Sequence, residues 1–187
     1  MSYLWNYAGT DRHYHTFEHI GQMITDLHKY FPEYAEDQVL KDAIMYHDCI
    51  YKADSESGYN EEQSFLAAVE ELGISEHSGK YSEIKGLILI THKHENPVTL
   101  KQKIMIDLDL AGLASDNYVK NSVAIRKEYH MFSDELWLLG RQAFLNKFIN
   151  RKIYQTELGC ELWETRAKLN LADELVHIER KLFKTKG

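Results

Sequence analysis

Three short stretches of the sequence place histidines and aspartates in apolar surroundings: "RHYHTFEHI" at residues 12–20, "YHDCIY" at 46–51 and "IDLDLAGL" at 106–113. Burying an imidazole or a carboxylate costs free energy unless the group is paired. One histidine, an adjacent His-Asp pair and a later aspartate would together offer two nitrogen and two oxygen ligands. Such a set suits Mn, Fe, Co, Ni or Zn ions better than Ca. Because a bound metal lowers the pKa of water toward neutrality, the pattern predicts hydrolysis of an anionic ester, foremost a phosphate.

The His-Asp pair follows a helical apolar pattern. His47 falls near the centre of the stripe that includes Leu40 and Ile44, and Asp48 falls at its edge. The alternative for a lone buried histidine is a hydrogen bond to a backbone carbonyl. The adjacent carboxylate and the other two stretches favour a metal ligand. Upstream, His15 and His19 are four residues apart and therefore share a helix face.

The stretch "KIMIDLDLAGLA" is apolar nearly all round, which predicts a helix buried on most sides. Asp107 and Asp109 interrupt it on roughly opposite faces, so one straight helix does not readily bring both to the same metal. We expect at least one of them to form a buried ion pair or a cap bond.

Two further positions carry groups that can move protons or bind anions. Glu61 lies on the core-facing side of its predicted helix, where it either interacts with the helix dipole or handles a proton at the site. His94 shares a face with Ile84 and Ile88, and this placement favours a functional role over a polar helix end.

The sequence predicts an all-α fold that forms one domain over residues 1–187. "NEEQ" at 60–63 has the form of a capping box, Gly73 is expected just after the end of that helix, and the last helix is expected to break near Asn170. The predicted helices are Thr16–Lys29, Asp37–Tyr51, Asn60 to the "LGIS" stretch, Tyr81–His94, Leu100–Ala114, Asn117–Met131, Asp134–Asn150 and Glu157–Phe183.

Composition narrows the functional class. The net charge of −7 argues against binding a nucleic acid polymer through a basic surface. No apolar run is long enough to span a bilayer, and the first residues lack the pattern of a secretory signal. The chain has two cysteines, which lie far apart and have no CxxC spacing, so we expect a cytoplasmic protein without membrane partners.

The ordered set His19, His47, Asp48 and an aspartate of "DLDL" resembles the H…HD…D signature of the HD superfamily of metal-dependent phosphohydrolases. The stretches "AIMYHDCIY", "NEEQS", "IRKEY", "GRQAFL" and "ETRAKLNLADEL" resemble motifs of a subgroup of short bacterial HD hydrolases. The resemblance implies a helical bundle of the HD type. Its metal core would span about residues 12–115, with C-terminal helices at about 117–183 packed on it.

The resemblance also implies roles for single residues. It favours His19 as the first ligand, with His15 as an accessory group and lesser candidate. It favours Asp109 as the last ligand, with Asp107 as its rival. Some HD proteins bind two ions through additional histidines, so His92 or His94 is a candidate for a second site. One or two divalent ions are expected, with Mg as a further candidate.

A phosphate substrate also requires cations. Arg12 and Arg126 are the candidate arginines, and His15 and His94 the candidate histidines. Asp48 and Glu61 are the candidate catalytic residues. The expected substrate is a small phosphorylated molecule, with nucleotides among the candidates, acted on by a monomer or a homodimer. The alternative is a regulatory HD protein that binds a nucleotide or a metal without turnover.

Overall fold

The computed structural model describes residues 2–185, and within that range the chain is all α-helical, without a β-strand. This confirms the prediction of an all-α chain, whereas the HD type of the bundle stays a prediction. The α-helices are α1 (Phe17–Tyr30), α2 (Gln38–Tyr46), α3 (Tyr59–Glu71), α4 (Gly79–Leu89), α5 (Leu100–Leu110), α6 (Tyr118–Glu128), α7 (Asp134–Ile149), the short α8 (Glu157–Gly159) and α9 (Thr165–Thr185). Short 3₁₀ turns lie at Tyr3–Ala8, Pro32–Tyr34, Ile90–His92 and Ala111–Ala114.

Helix α2 ends at Tyr46, five residues before the predicted end. The backbone carbonyls of Asp48 and Cys49 accept hydrogen bonds from the guanidinium of Arg12, at 2.9 Å and 3.2 Å. The hydroxyl of Ser64 binds both the N–H and the C=O of Ile50. These bonds satisfy backbone groups that a continued helix would have paired internally, so the chain turns directly after Tyr46.

The predicted capping box of α3 is wrong. The residue before α3 is Gly58, which has a φ of +84° and offers no side-chain cap. The side chain of Asn60 instead binds the backbone N–H and C=O of Lys52 and closes the preceding loop. A capping box does form at the start of α5, between Thr99 and Gln102. The prediction for Gly73 is confirmed, because it follows the end of α3 with a φ of +60°.

The core has two parts, and α5 belongs to both. Ile104, Met105 and Leu108 pack into the part formed mainly by α1 to α4. Ile106 and Leu110 pack into the part formed with α6, α7 and α9. This placement explains why α5 is apolar nearly all round, as predicted from its sequence.

The C-terminal helical region is irregular at a different place from the one predicted. A π-helical turn occupies Cys160–Glu164, whereas α9 runs without a break past Asn170. The carboxylate of Glu164 accepts the backbone N–H groups of Ile153 and Tyr154, which fixes this turn to the segment before α8. The amide of Asn170 donates to the carbonyls of Leu113 and Ser115, so it ties α9 to the turn that follows α5.

None of the helices described within residues 2–185 is long and apolar enough to cross a membrane.

Asp107 joins the two parts of the structure. Its fully buried carboxylate accepts the backbone N–H groups of Gln155 and Thr156, at 2.6 Å and 2.9 Å, and the hydroxyl of Thr156 at 2.6 Å. Gly159 lies against it so closely that an added Cβ would overlap the carboxylate. One of the two α5 aspartates is therefore structural, as expected from their opposite faces.

We predict that Asp107→Ala lowers the free energy of unfolding by about 3 kcal/mol, because two buried N–H groups lose their acceptor. Urea denaturation measures this change. Metal content per folded molecule should stay at the wild-type level. A variant that folds with unchanged stability but has lost its metal would instead make Asp107 the ligand.

Candidate metal centre

Four side chains converge from three parts of the chain: His19 from α1, His47 and Asp48 from the turn after α2, and Asp109 from α5. One ligand atom from each lies within 4.8 Å of the others. We call these four residues the His/Asp cluster. Nε2 of His19 lies 3.1 Å from Oδ1 of Asp109, and Nε2 of His47 lies 3.2 Å from Oδ2 of Asp48. The structure thus brings together the four residues predicted as ligands.

The orientation of His47 fits a metal. Nδ1 lies 2.9 Å from the carbonyl of Ile44, so this nitrogen carries the proton that is donated to the backbone. Nε2 is buried and makes no hydrogen bond, although it faces oxygens of Asp48 and Asp109 at 3.2 Å and 3.5 Å. A neutral imidazole in this orientation directs its lone pair toward two carboxylates. A cation between them removes that repulsion, and a backbone bond to the other ring nitrogen is the usual support of a metal-bound histidine.

The histidines and aspartates of the His/Asp cluster shift each other's pKa values. Burial disfavours the imidazolium of His47, but Asp48 and Asp109 outweigh this effect and hold its pKa well above the usual value. Burial likewise favours the protonated form of Asp109, but the neighbouring imidazoles of His19 and His47 outweigh it and hold the pKa of Asp109 well below the usual range. A metal ion would replace the proton on Nε2, so its binding should release protons.

His94 extends the His/Asp cluster toward solvent. Its Nε2 lies 2.7 Å from Oδ2 of Asp109. Its backbone has a φ of +54°, in the left-handed region that non-glycine residues rarely adopt. The segment around His94 is anchored by Arg151, which lies just after α7. Its guanidinium donates to the carbonyl of Lys93 and to the carboxylate of Glu95. This anchoring keeps the imidazole of His94 at Asp109 despite the backbone strain.

His92 lies outside the His/Asp cluster. Its Nε2 is 3.2 Å from the hydroxyl of Ser57, and its Nδ1 is 3.7 Å from Oε2 of Glu61. Glu61 lies in the first turn of α3 and lines the cavity described below. Of the two histidines considered for a second ion, His94 is the one that contacts a residue of the His/Asp cluster.

The two candidate arginines have other partners. The guanidinium of Arg12, which is 9% exposed, binds the carbonyls of His15, Asp48 and Cys49. Arg126 binds the carbonyls of Tyr129 and Phe132 and the carboxylate of Asp134. These bonds hold the loops around the site. A direct contact of either arginine with substrate stays a prediction.

Glu128 belongs to the site although it is not among the residues predicted from the sequence. Its buried carboxylate accepts the backbone N–H groups of His13, Tyr14 and His15, at 2.7, 2.6 and 3.0 Å, and lies 2.6 Å from Nδ1 of His15. The other ring nitrogen of His15 points to Asp48, at 3.8 Å. Glu128 therefore orients His15 toward the His/Asp cluster. Glu128 lies in the stretch "IRKEY", whose candidate residue was Arg126, and nothing in that stretch indicates the distant partners of the glutamate.

A cavity of about 480 Å³ lies directly on the His/Asp cluster. Asp48, Asp109, His15, His94 and Glu61 line its inner end. Its outer wall is formed by apolar and aromatic side chains of α6, α7 and the loop between them: Ile125, Tyr129, Phe132, Leu136, Trp137 and Phe144. This volume is within the range of about 300–1,000 Å³ that is typical of small-molecule sites.

Comparison of the chain with protein-family models, with curated proteins and with solved structures finds no match. These comparisons therefore assign no family. The structure shows an all-helical fold with a buried group of histidines and aspartates that could hold a metal ion.

We predict that the wild-type protein binds about one equivalent of a divalent transition metal and that His47→Ala loses it, because the substitution removes a buried nitrogen ligand. Elemental analysis after gel filtration measures the content. His92→Ala is the matched control, since His92 lies outside the His/Asp cluster, and it should keep the metal. Equal metal content in both variants would contradict the assignment.

The contribution of Glu128 to stability should depend on pH. Burial disfavours its charge, but His15 and the backbone N–H groups outweigh burial and lower its pKa from 4.5 to about 2. A lowered pKa in the folded state stabilises the fold fully above the unfolded-state pKa, and this stabilisation is lost as the pH falls through the folded-state value.

Glu128→Gln should therefore lower the free energy of unfolding by about 3 kcal/mol at pH 7. The difference from wild type should shrink between pH 4.5 and 2. Denaturation at several pH values measures it. Glu135→Gln, at an exposed position of α7, should show no such pH-dependent difference. A constant difference for Glu128→Gln would show that its charge does not stabilise the fold.

Proposed function

We propose that the protein is a metal-dependent phosphohydrolase of the HD type that acts on a small phosphorylated molecule. The observation that carries the proposal is the buried Nε2 of His47, which has no hydrogen-bond partner and faces the carboxylates of Asp48 and Asp109. The order of these residues in the sequence resembles the H…HD…D signature, which supports the same proposal. His19, His47, Asp48 and Asp109 would hold the metal.

A divalent metal bound there would supply water made acidic enough to act as a nucleophile near neutral pH. The protein contributes charge and orientation around it. His15 and His94 approach the His/Asp cluster from two sides, through Asp48 and Asp109, and both line the cavity. From these positions the two imidazoles would donate hydrogen bonds to the phosphoryl oxygens as negative charge develops on them.

Two carboxylates, those of Glu128 and Glu61, assist the histidines at the inner end of the cavity. Glu128 fixes His15 through its Nδ1, so that Nε2 is directed into the site. Because burial opposes the charge of His15 but Asp48 and Glu128 favour it more strongly, the pKa of His15 is raised and its charged form is favoured. Glu61 lies at the same end of the cavity and would accept or return a proton there.

The metal-loaded protein is expected to hydrolyse phosphate monoesters, with activity lost on chelation and restored by the metal. His15→Gln should lower kcat by about 100-fold, the cost typical of removing one group that stabilises developing charge. Metal content should remain normal, because His15 is outside the His/Asp cluster. Phosphate release from a panel of small phosphoesters measures the rates.

His130→Gln is the control, because His130 is exposed near the end of α6 and does not line the cavity. Its kcat should equal that of the wild type. If the metal-loaded protein binds phosphorylated ligands but hydrolyses none of them, the regulatory binding role replaces the enzymatic one. If it neither binds nor hydrolyses them, the proposed function fails.

A further inference from the structure

A continuous aromatic wall leads away from the His/Asp cluster. The ring of His15 stacks on Tyr51, with centroids 4.0 Å apart. The hydroxyl of Tyr51 lies 3.2 Å from that of Tyr129, whose ring lies 5.2 Å from the ring of Trp137. All four side chains line the same cavity. A ligand whose anionic group reaches the His/Asp cluster would therefore place the rest of its structure along aromatic side chains.

The positive charge available in the cavity lies at its inner end. Among the described side chains that line it there is no lysine, and the one arginine is Arg141. Arg141 donates two hydrogen bonds to Glu174, at 3.0 Å and 2.9 Å, so its charge is already paired. The β- or γ-phosphate of a polyphosphate would lie against apolar groups without a cation, which is costly.

Polar groups along the cavity wall are also engaged. The hydroxyl of Tyr51 donates to the hydroxyl of Tyr129, and the hydroxyl of Thr91 donates to the carbonyl of Ile88. A ribose in this part of the cavity would give up hydrogen bonds to water and find few replacements. An apolar ring would gain free energy there from burial and from contact with aromatic rings.

We propose that the substrate is the monophosphate ester of an apolar, ring-bearing alcohol, rather than a nucleoside polyphosphate. The phosphate occupies the inner end of the cavity, between His15 and His94, and the ring lies against Tyr129, Trp137 and Leu136. This inference rests on the proposed function and narrows its substrate class. Hydrolysis adds water across the P–O bond and yields the alcohol and inorganic phosphate, so no other reactant is needed.

The test is binding of two phosphonates, which cannot be hydrolysed at the P–C bond in this way, to the metal-loaded full chain. Benzylphosphonate carries a ring and methylphosphonate does not. Isothermal titration calorimetry should show benzylphosphonate binding at least tenfold more tightly, as expected from burying a ring. Equal affinities, or tighter binding of a non-hydrolysable ATP analogue, would overturn the proposal.

Two leucines of α7 provide matched variants. Leu136 is 60% exposed at the mouth of the cavity, whereas Leu139 is 43% exposed and does not line it. Leu136→Ser should weaken benzylphosphonate binding about fivefold and leave methylphosphonate binding unchanged, whereas Leu139→Ser should change neither. Trp137→Ala should weaken benzylphosphonate binding further, with its fold checked by circular dichroism. Equal effects of the two serine variants would contradict the placement of the ring.

Rates of hydrolysis distinguish a failure of the proposed substrate class from a failure of the proposed phosphohydrolase function. Benzyl phosphate, which like the other three is an ester of an alcohol or an anhydride rather than of a phenol, should have a kcat/KM at least tenfold above those of glycerol phosphate, AMP and ATP. Hydrolysis of all four at similar rates, or preference for ATP, would overturn the substrate class and leave the phosphohydrolase intact. Absence of both phosphonate binding and hydrolysis would overturn the phosphohydrolase itself, and with it the substrate class.

Discussion

The burial of α5 is the constraint on which the rest of the structure depends. This helix packs into both parts of the core, yet it carries two carboxylates. Each carboxylate must be compensated within the protein, because neither can be solvated freely by water. Asp107 is compensated by the backbone around residues 155–156, and Asp109 by histidines. One compensation joins the two parts of the core, and the other creates a site that fits a cation.

Charged side chains around the His/Asp cluster are also paired with groups inside the protein. Arg12 binds the carbonyls that follow α2, which stops the helix and places His47 and Asp48 on a turn. Glu128 gathers three backbone N–H groups before α1 and orients His15. Charged side chains that bind the backbone thus shape the inner end of the cavity. The outer wall is lined mainly by apolar and aromatic side chains, and Arg126 holds the backbone there at Tyr129 and Phe132.

The sequence predicts the parts of this arrangement that follow from local pattern. The apolar stripe of α2 indicates that His47 is buried, and the all-round apolarity of α5 indicates that one of its aspartates has a structural partner. Glu128 could not be recognised in this way, because its partners lie 113 to 115 positions away. The end of α2 was misplaced for the same reason, since the groups that stop it come from Arg12 and Ser64.

The hydrogen bonds of Asp107 can form only late in the synthesis of the chain, because their donors lie at residues 155 and 156. All four residues of the His/Asp cluster have been made once residue 109 is complete, so the site could assemble on a nascent chain. The acceptor oxygens of Asp107 nevertheless have no donors until residues 155 and 156 follow. A fragment ending near residue 115 would contain every cluster residue, but the apolar face of α5 with Ile106 and Leu110 would lose the helices that cover it. The part of the chain that carries the His/Asp cluster therefore depends on the C-terminal helices, and truncation should yield an insoluble or loosely folded product.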